Sequence, residues 1–285
     1  MSLARLQAYV DALDPAAAWS VWSGPVRGDA WFEAAADAQH YAASTMKLPL
    51  TMAAYHEADE GRLDLDATVA VRNSFSSVHD GSAFSVDRAE DSDEQPWQRL
   101  GQAVSLRWLA YRAIVRSSNL ATNLLLDAVG LEPVQRVLAD LGCEKSPVLR
   151  GIEDYAAREA GLHNLVTAAD LARLLQALWA DAQRSASSPG LLTQTSAREL
   201  LDVLAAQQIA DAIPRRLPPG TRVAHKSGWI DGVNHDAGIV FAPAAGPFVF
   251  SMCTTSTLEQ DAAADVVARA AAAAWHDVEG QAPGP

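Results

Sequence analysis

Ser44-Thr45-Met46-Lys47 sets a hydroxyl and an amine three residues apart. On a helix that begins near Ser44, positions i and i+3 share a face, so the two groups can meet at hydrogen-bond distance. A serine hydroxyl is a weak nucleophile until a neighbour takes its proton. A lysine takes it once burial or a nearby cation has lowered its pKa. The helix N-terminus adds backbone N–H groups for developing negative charge. Alone, the spacing is weak, because an N-cap serine followed by an unrelated surface lysine reads the same way.

The chain makes its lysines conspicuous. Of 22 basic residues only Lys47, Lys145 and Lys226 are lysine. Arginine serves wherever a fixed positive charge is enough, whereas only lysine can give up its proton. Lys226-Ser227-Gly228 follows a strand-like run. There a lysine can meet a substrate anion or depress a second amine, and a glycine lets a substrate lie against the strand. Ser117-Ser118-Asn119 stands at the junction of two helical segments. Its hydroxyl and amide suit proton relay and amide binding, although Asn119 and Asn123 also suit helix capping and loop bridging.

Taken in order, the three motifs resemble those of the serine penicillin-recognising enzymes, in particular the class A β-lactamase branch. The resemblance covers residues 3–278 and extends through the run from Ser117 to Leu126. It implies acylation of Ser44 by a β-lactam or a related amide or ester, with Lys47 activating the serine. It implies that Ser117 relays a proton to the leaving nitrogen and that Asn119 holds the substrate amide. Lys226, Ser227 and Gly228 would line the substrate carboxylate end, and the backbone N–H groups of Ser44 and Trp229 would form the oxyanion hole.

The pattern departs from the family in three places. Ser118 stands where aspartate is usual. After Arg150 the expected glutamate position holds Ile152, and Ala156 holds the expected asparagine position. Glu153, one place late, is the first candidate for the deacylating base, with Asp154 and Glu159 behind it. The usual carboxylate-binding arginine is not evident, and His235 is the nearby cation candidate, its alternative being a pair with Asp236. These departures keep two alternatives open: a D-Ala-D-Ala peptidase or small-ester hydrolase, and a non-catalytic binder of β-lactams or peptidoglycan fragments.

The elements that must position these residues follow from periodicity. Helices are expected at 3–13, 44–60, 107–115, 119–129, 133–141, 167–182, 197–206 and 258–275, and strands at 19–22, 31–34, 221–226, 235–242 and 248–254. The tail at 279–285 reads as frayed. The order predicts an α+β, two-lobed β-lactamase/transpeptidase-like fold. An antiparallel sheet from about 1–43 and 215–280 carries the terminal helices, and a helical lobe fills about 44–214, all in one domain.

Composition narrows the partners. A net charge of -13 argues against nucleic acid and anionic membrane. No apolar run reaches the ~20 residues of a membrane span. The acidic run from Ala89 to Pro96 reads as a solvated loop. Cys143 and Cys253 are too few for a disulfide framework and read as free thiols. No His, Cys or Asp cluster has metal spacing, so no metal and no cofactor are expected. A monomer acting on a small β-lactam or acyl-D-Ala-type substrate is expected. The first 14 residues lack a leader pattern, which suits a cytoplasmic chain or one that lacks its secretion leader.

Overall fold

The computed structural model describes residues 1–185 and 189–281. Its centre is a five-stranded antiparallel sheet. The strands are β1 (Ala18–Pro25), β2 (Phe32–Ala34), β3 (Val223–Ile230), β4 (Val233–Ala242) and β5 (Gly246–Thr255), in the order β2-β1-β5-β4-β3. The sheet therefore joins the two ends of the chain, with Ala18 opposite Thr255. β3 lies at its edge, and Asp231-Gly232 turns the chain from β3 into β4. Gly232 has φ +76°, which such two-residue hairpin loops require.

Each sheet face buries a separate apolar set. Val21, Val240, Phe248, Phe250 and Met252 pack on the terminal helices α1 (Ala4–Asp11) and, at the far end of the chain, Gln260–Gly280. The latter helix presents Ala263, Val267, Ala270, Ala271, Ala274 and Val278, a stripe of small residues that allows close approach to the sheet. The opposite face meets the helical part of the molecule. There α2 (Lys47–Asp59) is buried around its whole girth, including Leu48, Leu50, Met52, Ala53, Ala54 and Tyr55. A helix apolar on every side belongs in a core. α3 (Leu106–Val115), α4 (Asn119–Val129) and α5 (Leu131–Asp140) surround it.

The resulting fold is β-lactamase/transpeptidase-like, as the element order predicts. Boundaries differ in ways that matter. α2 begins at Lys47, and Ser44 occupies a 3-10 turn, Ala43–Met46, ahead of it. β3 runs to Ile230, so Lys226-Ser227-Gly228 lies inside the strand rather than after it. Glu279 and Gly280 are helical, while 282–285 lie outside the described residues. Cys143 and Cys253 are unpaired, and burial pushes both thiols up. No helix is long and apolar enough to cross a membrane, among the described residues.

The acidic run departs most from its reading as a solvated loop. Asp93 is 3% exposed and forms a two-pronged pair with Arg112, at 2.6 Å for both contacts. Asp91 is half-buried and its carboxylate accepts from five donors: Asp93 N, Trp97 Nε1 and, at the α3–α4 junction, Ser118 Oγ, Asn119 N and Leu120 N. Glu90 and Glu94 are exposed.

Candidate active site

Ser44, Ser117, Asn119, Glu153 and Trp229 line one cleft of about 1160 Å³. Ser44 enters it on the 3-10 turn. Lys47, one turn on, is fully buried and points at the junction of α3 and α4. Its Nζ donates to Ser117 O at 2.6 Å, to Asn119 Oδ1 at 2.8 Å and to Ser117 Oγ at 3.3 Å. Lys226 approaches the same hydroxyl from β3, with Nζ to Ser117 Oγ at 3.0 Å. Ser117 Oγ thus bridges the chain's two buried lysines. Lys145, the third, makes an exposed pair with Asp37.

Burial governs the charge of both amines. Loss of hydration pulls Lys47 down to about 7, with Asp91 and Glu153 opposing the shift. Lys226 is pulled well below its usual value by desolvation and by the proximity of Lys47. An amine near 7 exchanges protons readily at neutral pH. Ser44 Oγ has no hydrogen-bond partner among the described residues.

Gly228 fixes the distance between strand and turn. A Cβ there would lie 2.8 Å from Thr45 N and 2.9 Å from Ser44 N. Only a residue without a side chain lets β3 pass this close to the N-terminus of α2. The backbone of Ser44 and the backbone of the next strand residue, Trp229, consequently face the same space.

Backbone strain collects at the cleft. Four described non-glycine residues have positive φ: Ala35, Ala43, Ser117 and Glu153. The last three line the cleft. Each costs about 1–3 kcal/mol and persists only where surrounding contacts impose it. Ala43 turns the chain into the Ser44 turn, and the Ser117 twist aims its carbonyl at Lys47.

The contacts around Ser118 reveal a residue that sequence reasoning missed. Ser118 caps α4 through Ala121 N at 3.1 Å and also donates to Asp91 at 3.1 Å. Asp91 further accepts from Asn119 N at 3.1 Å, Leu120 N at 2.9 Å and Trp97 Nε1 at 3.0 Å. A carboxylate from the acidic run thereby stands beside the motif that lacks its aspartate, at a helix N-terminus where negative charge is favoured. A missing acid beside an acidic loop was the available clue, but no spacing rule joins residues 91 and 118.

The segment after Arg150 is tied down from three sides. Asn123 bonds both the N–H and the C=O of Ile152, at 2.8 Å each. Asn164 holds Leu149 N and Arg150 N. The buried Arg150 guanidinium reaches Leu162 O and the Tyr41 hydroxyl. Within this frame Glu153 Oε2 accepts from Asp87 N at 2.7 Å, while its buried Oε1 has no partner. Burial raises its pKa, and the neighbouring Asp87, Glu90 and Asp91 add to the rise. Asp154 instead caps a short helix through Ala157 N and accepts from Val78 N. Glu159 is exposed and outside the cleft lining.

His235 does not reach the cleft lining. It is fully buried, with Nε2–H donating to Tyr41 O at 2.9 Å and Nδ1 accepting from Thr254 N at 3.0 Å. Those two bonds fix a neutral ring, and burial pulls its pKa down to about 4. Its position suits it to joining strands, not to carrying charge to a substrate. The carboxylate of Asp236 pairs with His225 instead, at 2.9 Å. Ser227 alternates to the other face of β3 from Lys226, where its buried Oγ has no partner. Among the described residues no cluster of His, Cys, Asp and Glu is arranged to hold a metal ion.

A helical lobe over an antiparallel sheet, with Ser, Lys, Ser, Asn and Lys converging between them, defines the β-lactamase/transpeptidase-like class. A sequence model of the beta-lactamase enzyme family matches residues 4–278, and the chain belongs to that family. It is 25% identical over 229 residues to the extended-spectrum beta-lactamase PER-1 of Pseudomonas aeruginosa, covering 76% of this chain and 68% of that protein. The solved beta-lactamase of Sphaerobacter thermophilus matches with TM-score 0.82 and 27% identity over 100% of both chains. PBP-A shares the fold at TM-score 0.78 and 20% identity, over 97% of this chain and 96% of that one. The chain is a class A beta-lactamase-like hydrolase by family.

Proposed function

We propose that the protein is a serine hydrolase that opens a β-lactam amide through an acyl-enzyme on Ser44. One observation carries this reading: Lys47, Ser117 and Lys226 form a single hydrogen-bonded chain at the cleft that Ser44 lines. In this mechanism Lys47, neutral above about pH 7, receives the Ser44 proton as Oγ attacks the carbonyl carbon. Ser117 passes a proton to the leaving nitrogen as the C–N bond breaks. The N–H groups of Ser44 and Trp229 stabilise the oxyanion, and Asn119 holds the acyl side chain. Glu153, through its unpartnered Oε1, draws a proton from the water that releases the acyl group.

Intact mass after penicillin exposure tests the first half. A single adduct that disappears in Ser44→Ala is expected, and an equal adduct in that variant sinks the proposal. The acylation rate is expected to rise with pH to a plateau above about 7, because Lys47 acts in its unprotonated form. Glu153→Gln tests the second half: the adduct is expected to outlast that of the wild type. The runner-up, a peptidase or small-ester hydrolase with slow β-lactam turnover, is favoured by the placement of Glu153 one residue late on a strained backbone. A long-lived wild-type adduct would support it.

A further inference from the structure

We propose that Glu153 is aimed by a donor outside its own loop: the backbone N–H of Asp87, presented by the segment 73–88 packed against it, is the positioning group for deacylation. The inference rests on Glu153 as the base that releases the acyl group, and it assigns what holds that base.

The carboxylate has one anchor. Among the described residues, Glu153 Oε2 accepts a hydrogen bond from Asp87 N at 2.7 Å, and the buried Oε1 accepts none. Its own segment supplies no donor to either oxygen, among the described residues. Ala156, where the family pattern carries an amide, offers only a methyl group. A carboxylate gripped at one oxygen keeps the other free in a fixed direction, as a base that must meet a water requires. In that step the water oxygen bonds to the acyl carbon and one of its protons passes to Oε1. The ester C–O bond then breaks and that proton goes to Ser44 Oγ.

The donor is itself fixed. Asn73 grips Val86, the residue before Asp87: its Oδ1 accepts from Val86 N at 2.8 Å and its Nδ2 donates to Val86 O at 2.9 Å. Val86 C=O and Asp87 N–H are the two ends of one planar peptide unit, so the Asn73 bond at one end sets the direction of the N–H at the other. The Val86 side chain is buried in the main core. Between Asn73 and Val86 the chain forms a small hairpin that pairs Phe75–Ser76 with Ala83–Phe84. That hairpin meets the Glu153 segment at two further points. Val78 N donates to Asp154 Oδ2 at 3.0 Å, and the Phe84 ring stands 3.4 Å from where a Gly151 Cβ would lie. The two segments thus hold each other, and the Asp87 N–H is the point at which this frame touches the base.

Removing one N–H tests the assignment. Asp87 has φ −77°, within reach of proline, which carries no N–H. Asp87→Pro and Asp87→Ala both lose the carboxylate and its cap on Ala89 N, and only the first loses the donor. Each variant is acylated with benzylpenicillin, freed of excess and followed by intact mass from pH 5 to 9. The adduct of Asp87→Pro is expected to decay about tenfold more slowly at neutral pH than that of Asp87→Ala, with acylation rates within about twofold. The N–H favours the ionised carboxylate, so its loss is also expected to move the acid limb of deacylation up by about one unit. The other titratable groups facing Glu153, which are Glu90, Asp91, Lys47 and Tyr155, are the same in both variants. Asn73→Ala keeps every N–H and loosens only the grip on Val86; it is expected to slow deacylation and spare acylation. Equal decay and equal limbs in the two Asp87 variants overturn the inference, as do acylation and deacylation falling together in Asp87→Pro and Asn73→Ala. A Glu153→Gln adduct no longer-lived than that of the wild type overturns the reading of Glu153 as the base, and the inference with it.

Discussion

Replacing Lys47 by methionine is expected to abolish acylation and stabilise the protein. The amine is fully buried and its pKa falls from 10.5 to about 7. At 1.36 kcal/mol per unit, that displacement costs the folded state about 5 kcal/mol at neutral pH. Methionine is unbranched, similar in length and carries no charge to desolvate. Against this stands the loss of donors to Ser117 O and Asn119 Oδ1, at about 1–1.5 kcal/mol each. The net gain is about 2 kcal/mol, or several degrees in Tm for a chain of this size. The pH dependence is distinctive. Between about pH 7 and 10.5 the unfolded chain holds the Lys47 proton and the folded chain has released it. The wild type therefore gains stability from this group as pH rises, and the advantage of the variant shrinks across that window. Urea unfolding of both proteins at pH 7 and pH 10 measures the difference. A variant less stable than wild type at pH 7, or an advantage independent of pH, would refute the assignment of Lys47 as a desolvated amine.

Three further outcomes are expected. Gly228→Ala puts a methyl group under 3 Å from Ser44 N and Thr45 N, so the strand and turn must separate; acylation should fall about 100-fold with a thermal penalty of about 1–3 kcal/mol. Wild-type acylation in that variant would show that the close approach is unimportant. Asp91→Asn removes a charge that raises the Lys47 pKa, so the acid limb of the acylation profile should move to lower pH. An unmoved limb would mean that Asp91 serves α4 alone. Arg112→Ala strands the buried Asp93 carboxylate and should cost about 3–5 kcal/mol in urea unfolding; a loss under about 1 kcal/mol would contradict a tight buried pair.

Chemistry carried by local spacing was legible before any fold was known. Ser44 with Lys47, Ser117 with Asn119, and Lys226 with Gly228 are short motifs whose members one helical turn, one helix junction or one strand brings near each other. The rarity of lysine singled out two of them. Helix and strand periodicity likewise gave the order of elements, because burial of one face leaves its mark every 3.6 or 2 residues.

Contacts between distant segments were not legible, and these decide how the site is built. Asp91 reaches Ser118 only because the acidic run folds back over the α3–α4 junction. His235 resembled a cation, but strand pairing sealed it between two backbone groups. Asp154 and Glu153 are adjacent, yet one caps a helix and the other faces the cleft, because a positive φ reverses the chain between them. The sequence by itself determined which residue types are available to the site and which local element carries each. Tertiary structure decided their protonation and partners, because desolvation and hydrogen bonding depend on what packs around a group, and that surface comes from other parts of the chain.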